Sequence, residues 1–119
     1  MPLAKTDAVR LRHMIDAASK ALLFTKGKNR ADLNHDEQLT LALVRLTEII
    51  GEAATRVSKE LQNRYTSIPW KEIVSTRNRL IHAYFDIDLD VLWQIVRDEL
   101  APMVREAQAI IDRELDKGK

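Results

Sequence analysis

The stretch PWKEIVSTRNRLIHAYF, from Pro69 to Phe85, shows how the rest of the chain must fold. Pro69 suits the first turn of a helix, where a missing N–H costs nothing. Apolar side chains then recur at Trp70, Ile73, Val74, Leu80, Ile81, Tyr84 and Phe85. This 3.6-residue stripe predicts a helix with one buried face, running through to Phe85. Arg77 falls on the stripe, where a charge in a core needs either an anionic partner or a task. A second row, Lys71, Ser75, Asn78 and His82, carries the polar groups. On a regular helix Arg77 and His82 lie about 140° apart. They can border one groove, or meet across a symmetric contact between two copies.

Upstream, a first helix is expected from about Thr6 to Phe24, capped by Thr6 or Asp7. Its stripe is Ala8, Leu11, Ile15, Ala18 and Leu22, and Lys26-Gly27 ends it. A polar connection, Lys28 to Asn34, leads to a long helix from about Asp36 to Gln62. Leu39, Leu43, Leu46, Ile50, Ala53, Val57 and Leu61 line its inner face. Gly51, Ala53 and Ala54 make a thin patch where another backbone can come close. Arg45, Glu48, Glu52 and Arg56 form a charged row at helical spacing. That row reads either as a solvated ladder or, more sharply, as the source of a partner for Arg77, with Glu48 or Glu52 turned inward.

Downstream, Asp86, Asp88 and Asp90 alternate with Ile87 and Leu89, and Asp88 is the expected cap of the last helix. That helix runs from about Leu89 to Asp116 and contains Pro102, which should kink or split it. The sum is an all-α protein, an antiparallel up-and-down four-helix bundle in a single domain over residues 1–119.

Composition narrows the function classes. The chain is 45% hydrophobic and 31% charged, and its net charge of +1 creates no broad field for nucleic acid or membrane. A basic cleft must therefore be local or built by assembly. With no cysteine there is no disulfide, thiolate or Cys-based zinc chemistry. The start, MPLAKTDAVR, has no apolar core of a secretory signal, and no apolar run reaches membrane-spanning length. A cytoplasmic protein is expected.

His13, His35 and His82 lie on separate elements, without the spacing of a helical metal motif, so no metal or cofactor is expected. Ser75, His82 and Asp86 have the residue types of a hydrolase triad, but nothing resembles the strained elbow that exposes such a serine. The segment RNRLIHAY, Arg77 to Tyr84, remains. A histidine can move a proton near neutral pH, and an arginine can grip a phosphate at two points. Together they suffice for metal-free RNA cleavage, in which the 2′-hydroxyl attacks its own phosphate and leaves a 2′,3′-cyclic phosphate. The same residues also fit a structural reading, a buried Arg–Glu pair with a histidine near a helix end.

This segment matches R-x4-H-x-Y, and here the sequence resembles the HepT-like HEPN ribonuclease toxins. Ile49-Ile50-Gly51-Glu52-Ala53-Ala54, Ile68-Pro69-Trp70-Lys71-Glu72-Ile73, Phe85-Asp86-Ile87-Asp88 and Val91-Leu92-Trp93 extend the likeness, which covers roughly Leu3 to Leu115. The resemblance implies a type VII toxin–antitoxin module with an MntA-like nucleotidyltransferase as antitoxin. It implies a homodimer that brings two motifs into one cleft, an RNA substrate, no DNA and no membrane. Carried over by position, Arg77 would hold the scissile phosphate, His82 would transfer the proton and Asn78 would orient one of them. Tyr84 would be the residue that the partner modifies with AMP, although it also fits ordinary core packing. A different class of reading is a catalytically weak HEPN module that binds the nucleotidyltransferase or a nucleotide.

Overall fold

Leu11, Met14 and Ala18 recur on one face of the first helix, α1, which spans Lys5–Phe24, and all three are buried. The computed structural model describes residues 4–82 and 86–117. Thr25 closes α1, its hydroxyl donating to the Ala21 carbonyl at 2.8 Å, and Gly27 follows in the left-handed region at φ 77°. Neither Thr6 nor Asp7 caps α1; Ala4 holds that position. Asp7 is instead buried inside the helix. Its carboxylate accepts the Ser58 N–H at 2.8 Å and the Ser58 hydroxyl at 2.7 Å, so it anchors a distant part of the chain.

A short helix, α2 (Asp32–His35), precedes α3 (Glu37–Thr55). Asp36 caps α3 by accepting the Leu39 N–H at 3.0 Å. The single helix expected from Asp36 to Gln62 is in fact two. α3 stops at Thr55, and α4 (Lys59–Arg64) starts afresh with Ser58 as its cap, accepting the Leu61 N–H at 3.2 Å. The apolar stripe crosses this break, since Val57 and Leu61 are both buried. The Gln62 amide donates to the Ala54 and Val57 carbonyls at 3.2 and 2.9 Å, satisfying acceptors that the interrupted ladder leaves open.

The segment from Pro69 departs furthest from a continuous helix. Pro69 is the N-cap of α5 (Trp70–Val74), and after Ser75 a second short helix, α6 (Thr76–Leu80), follows. The Ser75 hydroxyl donates to the Lys71 carbonyl at 2.8 Å and that of Thr76 to the Ile73 carbonyl at 2.6 Å. Such back-bonding competes with the regular ladder and bends helices. The break changes the rotational phase, and Thr76, not Arg77, takes the buried place between Ile73 and Leu80. α6 ends at Leu80 and Ile81 is extended, so His82 lies beyond the helix.

After residues 83–85, which include Tyr84 and lie outside the described residues, Ile87 pairs with Ile81 in an isolated antiparallel bridge. Asp88 then caps α7 (Leu89–Gln94) as expected, accepting the Val91 N–H at 3.1 Å. A π turn (Ile95–Glu99) leads into α8 (Leu100–Lys117). The irregularity expected at Pro102 therefore appears just upstream of it. Pro102, in the first turn of α8, has no N–H for the Asp98 carbonyl and crowds it. Widening the preceding turn relieves that crowding.

The fold is all-α. α1 packs on α3 and α8, while α3 also seats α5 and α6. Leu11, Met14, Leu43, Leu61, Leu80 and Ile110 are among the fully buried side chains of a shared core. The third of the four expected helices is the divided α5–α6 pair. Gly51 explains its closeness to α3, because a Cβ there would meet the Ile73 carbonyl oxygen at 3.1 Å. Among the described residues no helix is long and apolar enough to cross a membrane.

Candidate active site

α6 and the extended turn after it carry the polar side chains of the motif. Leu80 anchors α6 in the core, and this leaves Arg77 and Asn78 exposed on the opposite side. Arg77 lines an open groove of about 780 Å³ between α2–α3 and the bridged segment, together with His35, Arg45, Glu48, Ile81 and Ile87. Beyond α6 it also borders a smaller depression with Glu48 and Glu52. No ion pair joins Arg77 to Glu48 or Glu52 among the described residues; Glu52 is exposed and Glu48 half-buried. The buried Arg–Glu pair that the unbroken stripe suggested is absent because the break at Ser75 turns Arg77 outward. Arg45 and Arg56 likewise form no ladder with these two glutamates.

Of the two arginines on α6, the one that takes a carboxylate is Arg79. Its guanidinium donates to both oxygens of Glu99, at 3.0 and 2.7 Å. The Glu99 contact raises the Arg79 pKa above the usual guanidinium value, against the opposing effect of burial. This two-point pair ties α6 to the π turn. Sequence spacing had offered no reason to join residues 20 apart in the chain.

His82 sits on the turn that the Ile81–Ile87 bridge folds back. Its N–H donates to the Asp86 carbonyl at 3.1 Å, and the Asp88 N–H donates to the Leu80 carbonyl at 2.7 Å. The return of the chain brings Asp88 to the imidazole, with Nε2 3.2 Å from Oδ2. The other Asp88 oxygen keeps the α7 cap. The cap bond from Val91, then the His82 contact, hold the Asp88 pKa below the ordinary carboxylate value. Asp88 was legible as a cap, yet its second contact was hidden, because six residues is no helical spacing. Asn78 makes no side-chain hydrogen bond to Arg77 or His82 among the described residues.

His82 itself does not line the Arg77 groove. A separate, mainly apolar cavity of about 200 Å³ lies against the π turn, between Ile50, Ile73, Ile95 and Met103, away from both residues. Among the described residues no three His, Asp or Glu side chains cluster as metal ligands. The arrangement offers the Arg77 guanidinium, without a carboxylate partner among the described residues and suited to an anionic phosphate, and an accessible imidazole held by a carboxylate, suited to proton transfer.

Comparison with known proteins gives the chain a family. The family described as Ribonuclease HepT-like matches residues 14–110. A provisionally named RNase of Caldanaerobacter subterraneus subsp. tengcongensis is 33% identical over 110 residues, covering 92% of this chain and 98% of the relative. A second, from Methanocaldococcus jannaschii, is 32% identical over 100 residues, covering 84% and 92%. A provisionally named ribonuclease HepT of Thermococcus cleftensis is 36% identical over 77 residues, covering 65% and 70%. No solved structure matches the chain. These matches, with which the all-α fold agrees, show that the chain belongs to the HepT-like HEPN ribonucleases.

Proposed function

We propose that the chain, a single HEPN domain over residues 1–119, is the toxin of a cytoplasmic toxin–antitoxin module and cleaves RNA without a metal. The observation that carries this reading is the exposure of Arg77 with no carboxylate partner among the described residues. Packing has no use for that charge, and a phosphate does. Arg77 holds the scissile phosphate and stabilises its growing charge. His82 takes the proton of the 2′-hydroxyl, the O2′–P bond forms and the P–O5′ bond breaks. Asn78 orients the phosphate or the imidazole. The products are a 2′,3′-cyclic phosphate and a 5′-hydroxyl.

Within one copy, His82 does not line the Arg77 groove. A homodimer that sets two motifs face to face supplies both groups to one cleft, and its two copies of Arg77 give a nearly neutral protein a local positive site, while Arg79 is already matched by Glu99. The antitoxin is an MntA-like nucleotidyltransferase that adds AMP to Tyr84. The added bulk and negative charge keep RNA out of the cleft.

The test is cleavage of labelled RNA by the purified protein in EDTA, wild type beside His82→Ala, with 3′ ends mapped and intact mass recorded. Cyclic phosphate ends that vanish in the variant are the expected result. No cleavage by protein whose mass shows unmodified Tyr84 would sink the nuclease reading. It would leave a HEPN module that binds the nucleotidyltransferase or a nucleotide.

A further inference from the structure

The fold gives His82 an orientation that the motif alone does not specify. Its ring has two nitrogens, and a neutral imidazole carries its proton on only one of them. Nε2 faces Asp88 Oδ2 at 3.2 Å. Asp88 cannot easily turn away, because two other bonds fix it. Its Oδ1 accepts the Val91 N–H at 3.1 Å, and its own N–H donates to the Leu80 carbonyl at 2.7 Å. Next to it, the Ile81–Ile87 bridge fixes the spacing of the two strands of the turn, and the His82 N–H is bound to the Asp86 carbonyl. Ring and carboxylate are therefore positioned by the same piece of backbone.

An ionised carboxylate can only accept, so the nitrogen facing it must carry the proton. From this geometry we infer that Asp88 is a positioning residue, holding His82 as the Nε2–H tautomer and leaving Nδ1 as the atom that exchanges protons with the substrate. The inference rests on the nuclease reading for the role of Nδ1, but not for the Asp88–His82 pairing. In the reaction Nδ1 takes the 2′-hydroxyl proton while the O2′–P bond forms and the P–O5′ bond breaks. The leaving O5′ takes a proton from water, and the imidazolium later returns its own to solvent. The charge on the imidazolium strengthens the Nε2–H bond to Asp88 at the moment of transfer.

This assigns Asp88 two separable tasks, one for each oxygen. Asp88→Asn separates them. Asparagine caps helices about as well as aspartate, so Oδ1 can keep the Val91 N–H and the fold. The group left facing Nε2 is then an amide NH2, which donates. It favours the opposite tautomer, with the proton on Nδ1, where it blocks base catalysis, as the corresponding substitution does in serine proteases. Asp88→Ser, which also caps, removes the carboxylate without adding a donor and should leave the ring with a mixture of both forms.

The experiment has two arms on wild type, Asp88→Asn and Asp88→Ser. Long-range ¹H–¹⁵N NMR of the full chain, with its histidines ¹⁵N-labelled and neutral, reads the His82 tautomer. Steady-state RNA cleavage reads kcat and KM, and thermal melting checks the fold. The expected result is a single Nε2–H form in the wild type, a shift towards Nδ1–H in Asp88→Asn and a mixture in Asp88→Ser. The kcat of Asp88→Asn should fall by about 10²-fold or more, the range of general acid–base effects, at unchanged KM, with a cooperative melting transition showing that the fold is kept. An unchanged tautomer in Asp88→Asn would overturn the pairing. A changed tautomer with unchanged kcat would overturn the role of Nδ1. If unmodified wild type cleaves no RNA, the nuclease reading and the role of Nδ1 fall together, while the NMR arm still decides whether Asp88 holds the ring. Should Asp88→Asn fail to fold, Asp88→Ser carries the same comparison.

Discussion

Gly51 and Ile73 are in contact through backbone alone: a Cβ on Gly51 would stand 3.1 Å from the Ile73 carbonyl oxygen. α3 therefore seats α5 at a distance that a side chain at residue 51 would crowd, and through α5 it positions the motif. A carbonyl fixed in a helix cannot swing aside like a flexible side chain. Gly51→Val should destabilise the protein by about 1–3 kcal/mol, the usual range for overpacking. Urea denaturation would measure this, and an unchanged midpoint would show that α5 can move off α3 freely.

Arg77→Ala should leave stability within about 0.5 kcal/mol of the wild type, as expected for an exposed side chain away from structural contacts. The same variant should lose RNA cleavage. A large drop in stability would instead restore the view that Arg77 serves packing.

The Arg79–Glu99 pair spans two elements and is about three-quarters buried on the arginine side, where the side chain is 27% exposed. Arg79→Ala should cost on the order of 1 kcal/mol, and less at high salt, since partly exposed pairs are screened. A double-mutant cycle with Glu99→Ala isolates the coupling. Zero coupling at low salt would mean that α6 is held to the π turn by apolar contacts alone.

Tyr65 donates its hydroxyl to the buried Glu114 at 2.6 Å, and Arg64 reaches the same carboxylate oxygen at 3.3 Å. The second oxygen of Glu114 has no partner among the described residues. Tyr65→Phe removes the shorter bond and should cost about 1–3 kcal/mol, the penalty for a buried polar group left short of partners. Burial first, and then the Glu114 contact, raise the Tyr65 pKa above 10.0. A raised value means that folding favours the protonated phenol. Its stabilising contribution is complete below about pH 10 and is lost as pH rises further. Thermal melting between about pH 8 and pH 11 should fall less steeply in Tyr65→Phe. Parallel curves would show that Tyr65 ionises as readily in the folded protein as in the unfolded chain.

Asp88 predicts an acid-side dependence. Its pKa is lowered by the Val91 N–H and then by His82, so folding favours the carboxylate. That stabilisation is present above about pH 4 and disappears as pH falls through the lowered folded value. Asp88→Asn should lose less stability than the wild type on acidification from about pH 6 to pH 3, as read by urea midpoints. Equal losses would place the acid sensitivity elsewhere.

Much of this architecture was visible in apolar spacing. Leu11, Leu43, Ile50, Leu80, Leu92 and Ile110 are buried where helical periodicity puts them, and Asp88 caps the helix it precedes. Periodicity reports which faces are apolar, however, and not whether the ladder between two turns is intact. The breaks at Ser58 and Ser75 both occur where a hydroxyl competes for backbone groups while the stripe continues. The second break decided the site, because it moved Arg77 from an inward to an outward phase. The Asp88–His82 and Arg79–Glu99 contacts depend on chain reversal and on packing between elements. Neither has a spacing that one helix could reveal.

The π turn has a consequence for insertions and deletions. It absorbs about one residue more than an ordinary turn would hold between α7 and α8. Deleting one residue within Ile95–Glu99 would let ordinary helix run through and leave the face of α8 close to its present phase. The same deletion further on, within the regular part of α8, has no slack to draw on: it would rotate everything after it by about 100° and draw it back about 1.5 Å. Glu114 would then swing away from Tyr65, and the face of α8 that meets α1 would turn towards solvent. Within the last helix, chain length is thus negotiable at the π turn and fixed beyond it.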